Sequence, residues 1–191
     1  MRFVSAHPSS PPVVAGDDLV LRGYRDADVP DLLRAFDDEL IRHWNPGPHT
    51  EGEVIEWMGG RNDWNDRTHT SWAVGDPADR LLGSVSFHKI DWDQRDCEVG
   101  YWVAPWARGR GVAARSVRLA LTYVFGPMAM HRVYLFHAVE NASSCGVARG
   151  AGFRLEGEIK EGYRYPDGVY RDEHLHAILA SEYTPHERAS R

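Results

Sequence analysis

The stretch Glu98-Val99-Gly100-Tyr101-Trp102-Val103-Ala104-Pro105-Trp106-Ala107-Arg108-Gly109-Arg110-Gly111-Val112-Ala113 changes character twice. It begins as a strand, apolar and aromatic after Glu98. It becomes a turn rich in Arg and Gly. It then opens a helix, in which Ala113, Val117, Ala120, Leu121 and Val124 recur at helical spacing until Gly126-Pro127 stops it. Glycines let the backbone approach a ligand closely, and the free N–H groups of a helix start form an anion site. A pyrophosphate suits such a turn.

The flanking pattern restricts the sheet that can hold this turn. Upstream, residues 71–74, 81–90 and 98–103 read as strands, separated by short turns at Asp76-Pro77 and Asp91-Trp92-Asp93-Gln94, which makes neighbours antiparallel. Further upstream, Leu19-Val20-Leu21-Arg22 reads as the first strand. Asp26 and Asp28 offer N-caps, Pro30 suits a first helical turn, and Leu32, Phe36, Leu40 and Trp44 predict one helix with a buried stripe. Thr50 and Glu53 form a capping box for a second helix, with Val54, Trp57 and Met58 on its apolar face.

Downstream, residues 131–139 are largely apolar on both faces and predict a central strand. Asn141 caps a short helix that closes at Gly150-Ala151-Gly152, and a hairpin turning at Tyr165-Pro166-Asp167-Gly168 finishes the domain. The expected order is β-α-α-β-β-β-α-β-α-β-β: an α/β chain, with α+β character in its mixed sheet. The expected division is a flexible lead-in over 1–16, one domain over 17–184 and a flexible tail over 185–191.

Which pyrophosphate the turn holds depends on this context. Gly109-x-Gly111-x-x-Ala114 formally matches a dinucleotide fingerprint, but that reading needs a βαβ unit in an alternating parallel sheet, and the preceding strands form a meander. No Gly-Lys-Ser/Thr follows, so a P-loop fails. Arg108-x-x-Gly111-x-Ala113 instead matches the acyl-CoA motif of the GNAT superfamily. The chain resembles the RimJ/RimL-like branch of that family through four pieces in order. These are Leu21-Arg22-Gly23-Tyr24-Arg25-Asp26-Ala27-Asp28, Glu98-Val99-Gly100-Tyr101-Trp102-Val103, the Arg-Gly turn, and Glu140-Asn141-Ala142-Ser143-Ser144 followed by Gly150-Ala151-Gly152-Phe153. The resemblance runs over roughly residues 18–183 and implies the GNAT acyl-CoA N-acyltransferase fold.

It also implies acetyl-CoA as co-substrate. Backbone groups at Trp102 and Val103 would meet the pantetheine arm. Amides of Arg108, Gly109, Arg110, Gly111, Val112 and Ala113 would hold the pyrophosphate, and Asn141 would contact the cofactor. Arg108 and Arg110 either add charge near the phosphates or are solvated surface groups.

Acetyl transfer to an amine needs a base for the ammonium proton, a donor for the oxyanion and a proton for the departing thiolate. The resemblance implies Glu98, on the strand that leads to the turn, as the candidate base working through a water; its structural alternative is a cap or salt bridge on the sheet. It likewise implies Ser144, in the Asn-x-x-Ser of this branch, as the candidate acid, its alternative being ordinary helix-start hydrogen bonding. Tyr101 and Tyr163 are weaker donor candidates. Direct transfer in a ternary complex is expected, with no acyl-enzyme. The acceptor implied by the branch is a protein N-terminal α-amine of ribosomal-protein type. A small-molecule amine such as an antibiotic or polyamine is the alternative, and a noncatalytic acyl-CoA sensor is the rival from another class.

Other features favour plain roles. His174 and His176 share a strand face, but no further ligands accompany them at a familiar spacing, so no metal is expected. Cys145 at a helix start reads as a small core residue and Cys97 as structural. Trp44, Trp57 and Trp64 read mostly as core, with one or two lining the acceptor groove. Asp91 and Asp93 are explained by turn chemistry, with attraction of a cationic amine as the other reading.

The chain of 191 residues carries a net charge of −6, which argues against DNA as a partner. No apolar run approaches a membrane span, and Pro8, Pro11 and Pro12 interrupt the N-terminal stretch where a leader would be apolar. Two cysteines do not make a disulfide framework, so a cytoplasmic protein is expected, with a homodimer compatible with all of this.

Overall fold

A computed structural model describes residues 8–16 and 18–184. The expected lead-in and tail therefore lie outside the described residues at 1–7 and 185–191. Within the rest of the lead-in, Val14–Gly16 forms strand β1, which pairs antiparallel with β2, Leu19–Arg22.

The helix expected through Leu32, Phe36, Leu40 and Trp44 is two helices, α1 (Val29–Phe36) and α2 (Glu39–Trp44). The break falls at Asp37-Asp38, where the Asp38 backbone is extended and its carboxylate accepts from the Ile41 N–H at 3.0 Å. A good N-cap starts a new helix, and the redirected axis leaves Leu40 51% exposed instead of in the core. Asp28 sits at the start of α1 but does not cap it. Its carboxylate is taken by the buried guanidinium of Arg22, Nη1 to Oδ2 at 2.7 Å and Nη2 to Oδ1 at 2.8 Å. The capping box of α3 (Glu51–Asn62) forms as expected, with both reciprocal bonds between Thr50 and Glu53.

The strands β3 (Thr70–Gly75), β4 (Leu81–Asp91) and β5 (Asp96–Val103) make the antiparallel meander. A crossover through α4 (Val112–Phe125) brings β6 (Arg132–Ala138) parallel to β5; α5 (Ala142–Gly150), β7 (Arg154–Arg164) and β8 (Tyr170–Leu179) follow. The hairpin's last strand inserts beside β6, giving an eight-stranded order β1-β2-β3-β4-β5-β6-β8-β7. β6 is thus central, as its two apolar faces predict.

Strand alternation divides the interior in two. Trp72, Val74, Val99 and Val133 pack with Val117, Ala120, Leu121 and Val124 of α4 and Ala148 of α5, while Ala73, Leu81 and Trp102 pack with Leu32, Phe36, Val54 and Met58 from α1 and α3. At about 25 cal/mol per Å2 of apolar surface, each fully buried Leu or Phe contributes about 2–3 kcal/mol. One irregularity positions the site. Among the described residues β5 and β6 pair only from Asp96↔Arg132 to Glu98↔Tyr134, and beyond Glu98 β5 keeps β4 alone as a partner through Val103. The sheet forks there.

Candidate active site

Two cavities meet in the fork. The first, about 710 Å3, runs along Tyr101, Trp102 and Val103, between α2 and the starts of α4 and α5. Its wall includes Arg108, Gly109, Gly111, Val112 and Ala113 of the Arg-Gly turn, and Asn141 to Ser144 opposite. Gly109 and Gly111 have φ of +73° and +67°, a left-handed backbone that other residues adopt at a cost. Gly111 is also the N-cap of α4 and has no side chain to cap it, so the first N–H groups of that helix point to whatever lies before them. A cavity walled by a free strand edge and ended by a helix N-terminus fits an extended arm carrying a pyrophosphate.

Most of the cofactor residues expected from sequence come together here; Arg110 does not. It is exposed and lies outside both cavity walls. Arg108 lines the cavity but is already paired, its Nη2 lying 2.5 Å and its Nη1 3.1 Å from the two oxygens of Asp38. Hydrogen bonds from Arg108 hold Asp38 below the usual carboxylate range, with the Ile41 N–H adding to the effect against partial burial. Asn141 caps α5 through Ser144 N–H at 3.2 Å.

The second cavity, about 630 Å3, shares Trp44, Asn45, Tyr101, Asn141 and Ser144 with the first. Those shared residues mark the junction of the two cavities. Burial raises the Tyr101 phenol to about 12, so it is protonated at neutral pH. Its hydroxyl lies 3.5 Å from the Ser144 carbonyl.

Glu98 and Glu173 both line the second cavity and differ in character. Glu98 is held by two bases, His88 Nε2 at 3.2 Å and Lys89 Nζ at 2.7 Å. Burial alone would raise its pKa, but those hydrogen bonds overcome burial and keep it below the ordinary range. Glu173 is 8% exposed and accepts from the Tyr165 hydroxyl at 3.0 Å. Burial first, and then repulsion from Glu98, raise its pKa against the lowering effect of Tyr165. Sequence reading missed Glu173, which stands among charged neighbours that look solvent-facing.

Trp44 lines the junction, and Trp57 lines a side extension of about 410 Å3 toward Arg61. Trp64 is fully buried against Trp72. Asp91 accepts from the N–H groups of Asp93 and Gln94 at 2.8 Å, its turn role. Tyr163 is 57% exposed at the cavity rim. Cys97 is buried, and burial raises its thiol well above the ordinary range. Among the described residues no helix is long and apolar enough to cross a membrane.

Residues 18–154 match the acetyltransferase (GNAT) domain family. YdaF of Bacillus subtilis, provisionally named a ribosomal N-acetyltransferase, is 33% identical over 54% of this chain; the chain spans 56% of that protein's length. Spermidine N(1)-acetyltransferase of Vibrio cholerae is 28% identical over 75% of this chain and 82% of its own. A crystal structure of the Vibrio cholerae spermidine N-acetyltransferase with CoA and spermine superposes with a TM-score of 0.75. It is 26% identical and covers 88% of this chain and 99% of that one.

Proposed function

Because the chain belongs to the GNAT acetyltransferase family, we propose that it transfers the acetyl group of acetyl-CoA to a primary amine by direct attack in a ternary complex. The observation that carries this reading is the junction of the two cavities at Tyr101, Asn141 and Ser144, with a proton-avid carboxylate, Glu173, in the acceptor cavity.

In this mechanism the free β5 edge at Trp102 and Val103 aligns the thioester arm. The amides of Gly111, Val112 and Ala113 meet the pyrophosphate at the positive end of α4. An amine enters the second cavity as an ammonium, since its pKa is about 8 for an α-amine and about 10 for an alkylamine. Glu173 takes the proton, directly or through one water, because a carboxylate with a raised pKa is the better base. Glu98, held as a carboxylate by its hydrogen bonds to His88 and Lys89, raises the proton affinity of Glu173 through its negative charge. The nitrogen then bonds to the thioester carbon and the C–S bond breaks; the thiolate receives a proton from Tyr101 or Ser144, and that hydroxyl regains one from the newly acylated nitrogen, which loses its second proton as the amide forms.

The acceptor we favour is a protein N-terminal α-amine. The acceptor cavity opens at a rim where Tyr163 and Ile159 are 57% and 40% exposed, room for the rest of a peptide. A polyamine is the second reading, supported by the two carboxylates and by the Vibrio cholerae relative's named substrate. A reducing cytoplasmic setting accords with two free thiols.

The test is acetyl-CoA consumption over a panel of N-terminal peptides, polyamines and aminoglycosides. Tight acetyl-CoA binding without turnover of any amine would favour an acyl-CoA sensor and overturn the reading.

A further inference from the structure

The face of β6 and β8 opposite Glu173 holds a cluster to which the proposed transfer assigns no step, although its His137 also lines the second cavity. His137 pairs directly with His174 across β6 and β8, and His176, opposite Leu135, is on the same face. Cys145, in the first turn of α5, completes the group. One ligand atom from each of the four residues lies within 4.8 Å of all the others. We propose that His137, Cys145, His174 and His176 form a tetrahedral binding site for a transition-metal ion, with zinc the best match.

The distances suit this ion. His137 Nε2 lies 3.2 Å from His176 Nε2, and Cys145 Sγ lies 3.9 Å from the same atom. Two nitrogens on one tetrahedral zinc stand about 3.3–3.4 Å apart, and a nitrogen and a sulfur about 3.6 Å, given bond lengths of about 2.0–2.1 and about 2.3 Å.

The outer nitrogens of the rings differ in their support, and that of His176, Nδ1, is buried with no hydrogen-bond partner among the described residues. His137 Nδ1 lies 2.8 Å from the Ala138 carbonyl, and donation there leaves Nε2 with its lone pair turned to the cluster. His174 Nε2 faces a Glu158 oxygen at 3.7 Å, while its Nδ1 is buried with no hydrogen-bond partner. At 3.7 Å that carboxylate is a near neighbour of the ring and not a hydrogen-bond partner. The rings of His137 and His176 stack at 5.1 Å. The Cys145 thiol must lose its proton, which is released to solvent as the sulfur–metal bond forms.

Four protein ligands leave no open position, which marks a structural ion and not a Lewis acid for the reaction. Its effect would be mechanical. α5 carries Ser144 and follows Asn141, and the ion would pin this helix to β6 and β8.

The site is tested on the untagged full chain after dialysis against EDTA, by titration with zinc sulfate and separately with cobalt chloride. About one equivalent of zinc is expected to bind and raise Tm. Cobalt should give intense tetrahedral visible bands and a near-ultraviolet thiolate charge-transfer band. Cys145→Ser should abolish the charge-transfer band, and His174→Gln should weaken zinc binding by about 10–100-fold, both with the circular dichroism of the native fold. A weak octahedral cobalt spectrum, or zinc affinity unchanged in both variants, overturns the proposal. These readouts do not depend on acetyl transfer, so they fail or succeed apart from that reading.

Discussion

The Tyr165 hydroxyl donates to Glu173 at 3.0 Å, and this bond moderates a carboxylate that burial and Glu98 otherwise push upward. If Glu173 takes the amine proton, kcat/KM is lost as pH falls through its pKa, which lies above the ordinary Glu value of 4.5. Glu173→Gln should lower kcat/KM by about 10²–10⁴-fold and remove that acidic limb. Tyr165→Phe removes a stabilising donor from the carboxylate, so the limb should move to higher pH. A pH–rate profile with one acceptor throughout checks both; an unmoved limb in Tyr165→Phe counts against Glu173.

Glu98 predicts the opposite displacement. Removing its negative charge in Glu98→Gln relieves repulsion on Glu173, so the acidic limb should move to lower pH with less than about a tenfold rate loss. A loss of about 10²-fold or more together with disappearance of the limb would return the base to Glu98.

In the proposed mechanism the thiolate takes its proton from Tyr101 or Ser144, both of which line the junction of the two cavities. Ser144 gives its backbone N–H, not its hydroxyl, to the Asn141 cap, so Ser144→Ala should keep α5 intact. Ser144→Ala and Tyr101→Phe should each lower kcat by about tenfold with little change in acetyl-CoA KM, since a thiol leaving group needs only moderate help. Acting on one proton, they should not add in the double variant, and full additivity would separate their roles.

Asp38 links the cofactor turn to α2. Asp38→Ala should cost about 1 kcal/mol through the lost cap, measured by urea unfolding. It also releases Arg108, and acetyl-CoA should then bind more tightly and with a steeper salt dependence. Because Arg108 holds the folded-state pKa of Asp38 down, the pair contributes fully above the unfolded carboxylate pKa and is lost as pH falls through the depressed value. Calorimetry at several salt concentrations decides whether Arg108 reaches phosphate; unchanged affinity would leave it a structural partner of Asp38.

Gly111 isolates the backbone's share. An added Cβ there meets nothing within 4 Å, so Gly111→Ala is penalised by its φ of +67° alone. The expected loss is roughly 1–2 kcal/mol of stability, together with weaker acetyl-CoA binding if the turn relaxes. Equal binding would show that the turn need not be left-handed.

What was legible from sequence was local. The strand-turn-helix of residues 98–125, the Thr50–Glu53 box and the Asn141 cap each depend on residues a few positions apart, and each formed. The break at Asp38 was missed because the spacing of Leu40 and Trp44 continues the periodicity of α1 across a residue that caps a new helix. β1 was missed because it is three residues long and takes its order from pairing with β2. Glu173 and the His137 cluster were out of reach for a different reason. They exist only because β8 lies beside β6, a placement set by strand pairing between segments far apart in sequence. Alternation on β8 then sends Glu173 into the second cavity and His174 and His176 to the other side.

The fork between β5 and β6 has a further consequence for solubility. A strand edge with free N–H and C=O groups is a template on which another chain can add a strand. From Gly100 to Val103 that template lies inside the molecule, flanked by α2 and α5, where a flexible amide-bearing arm can enter and a foreign strand is excluded. Acetyl-CoA would then serve as a removable hem on the sheet: saturating cofactor should slow heat-induced aggregation more than its effect on Tm alone accounts for.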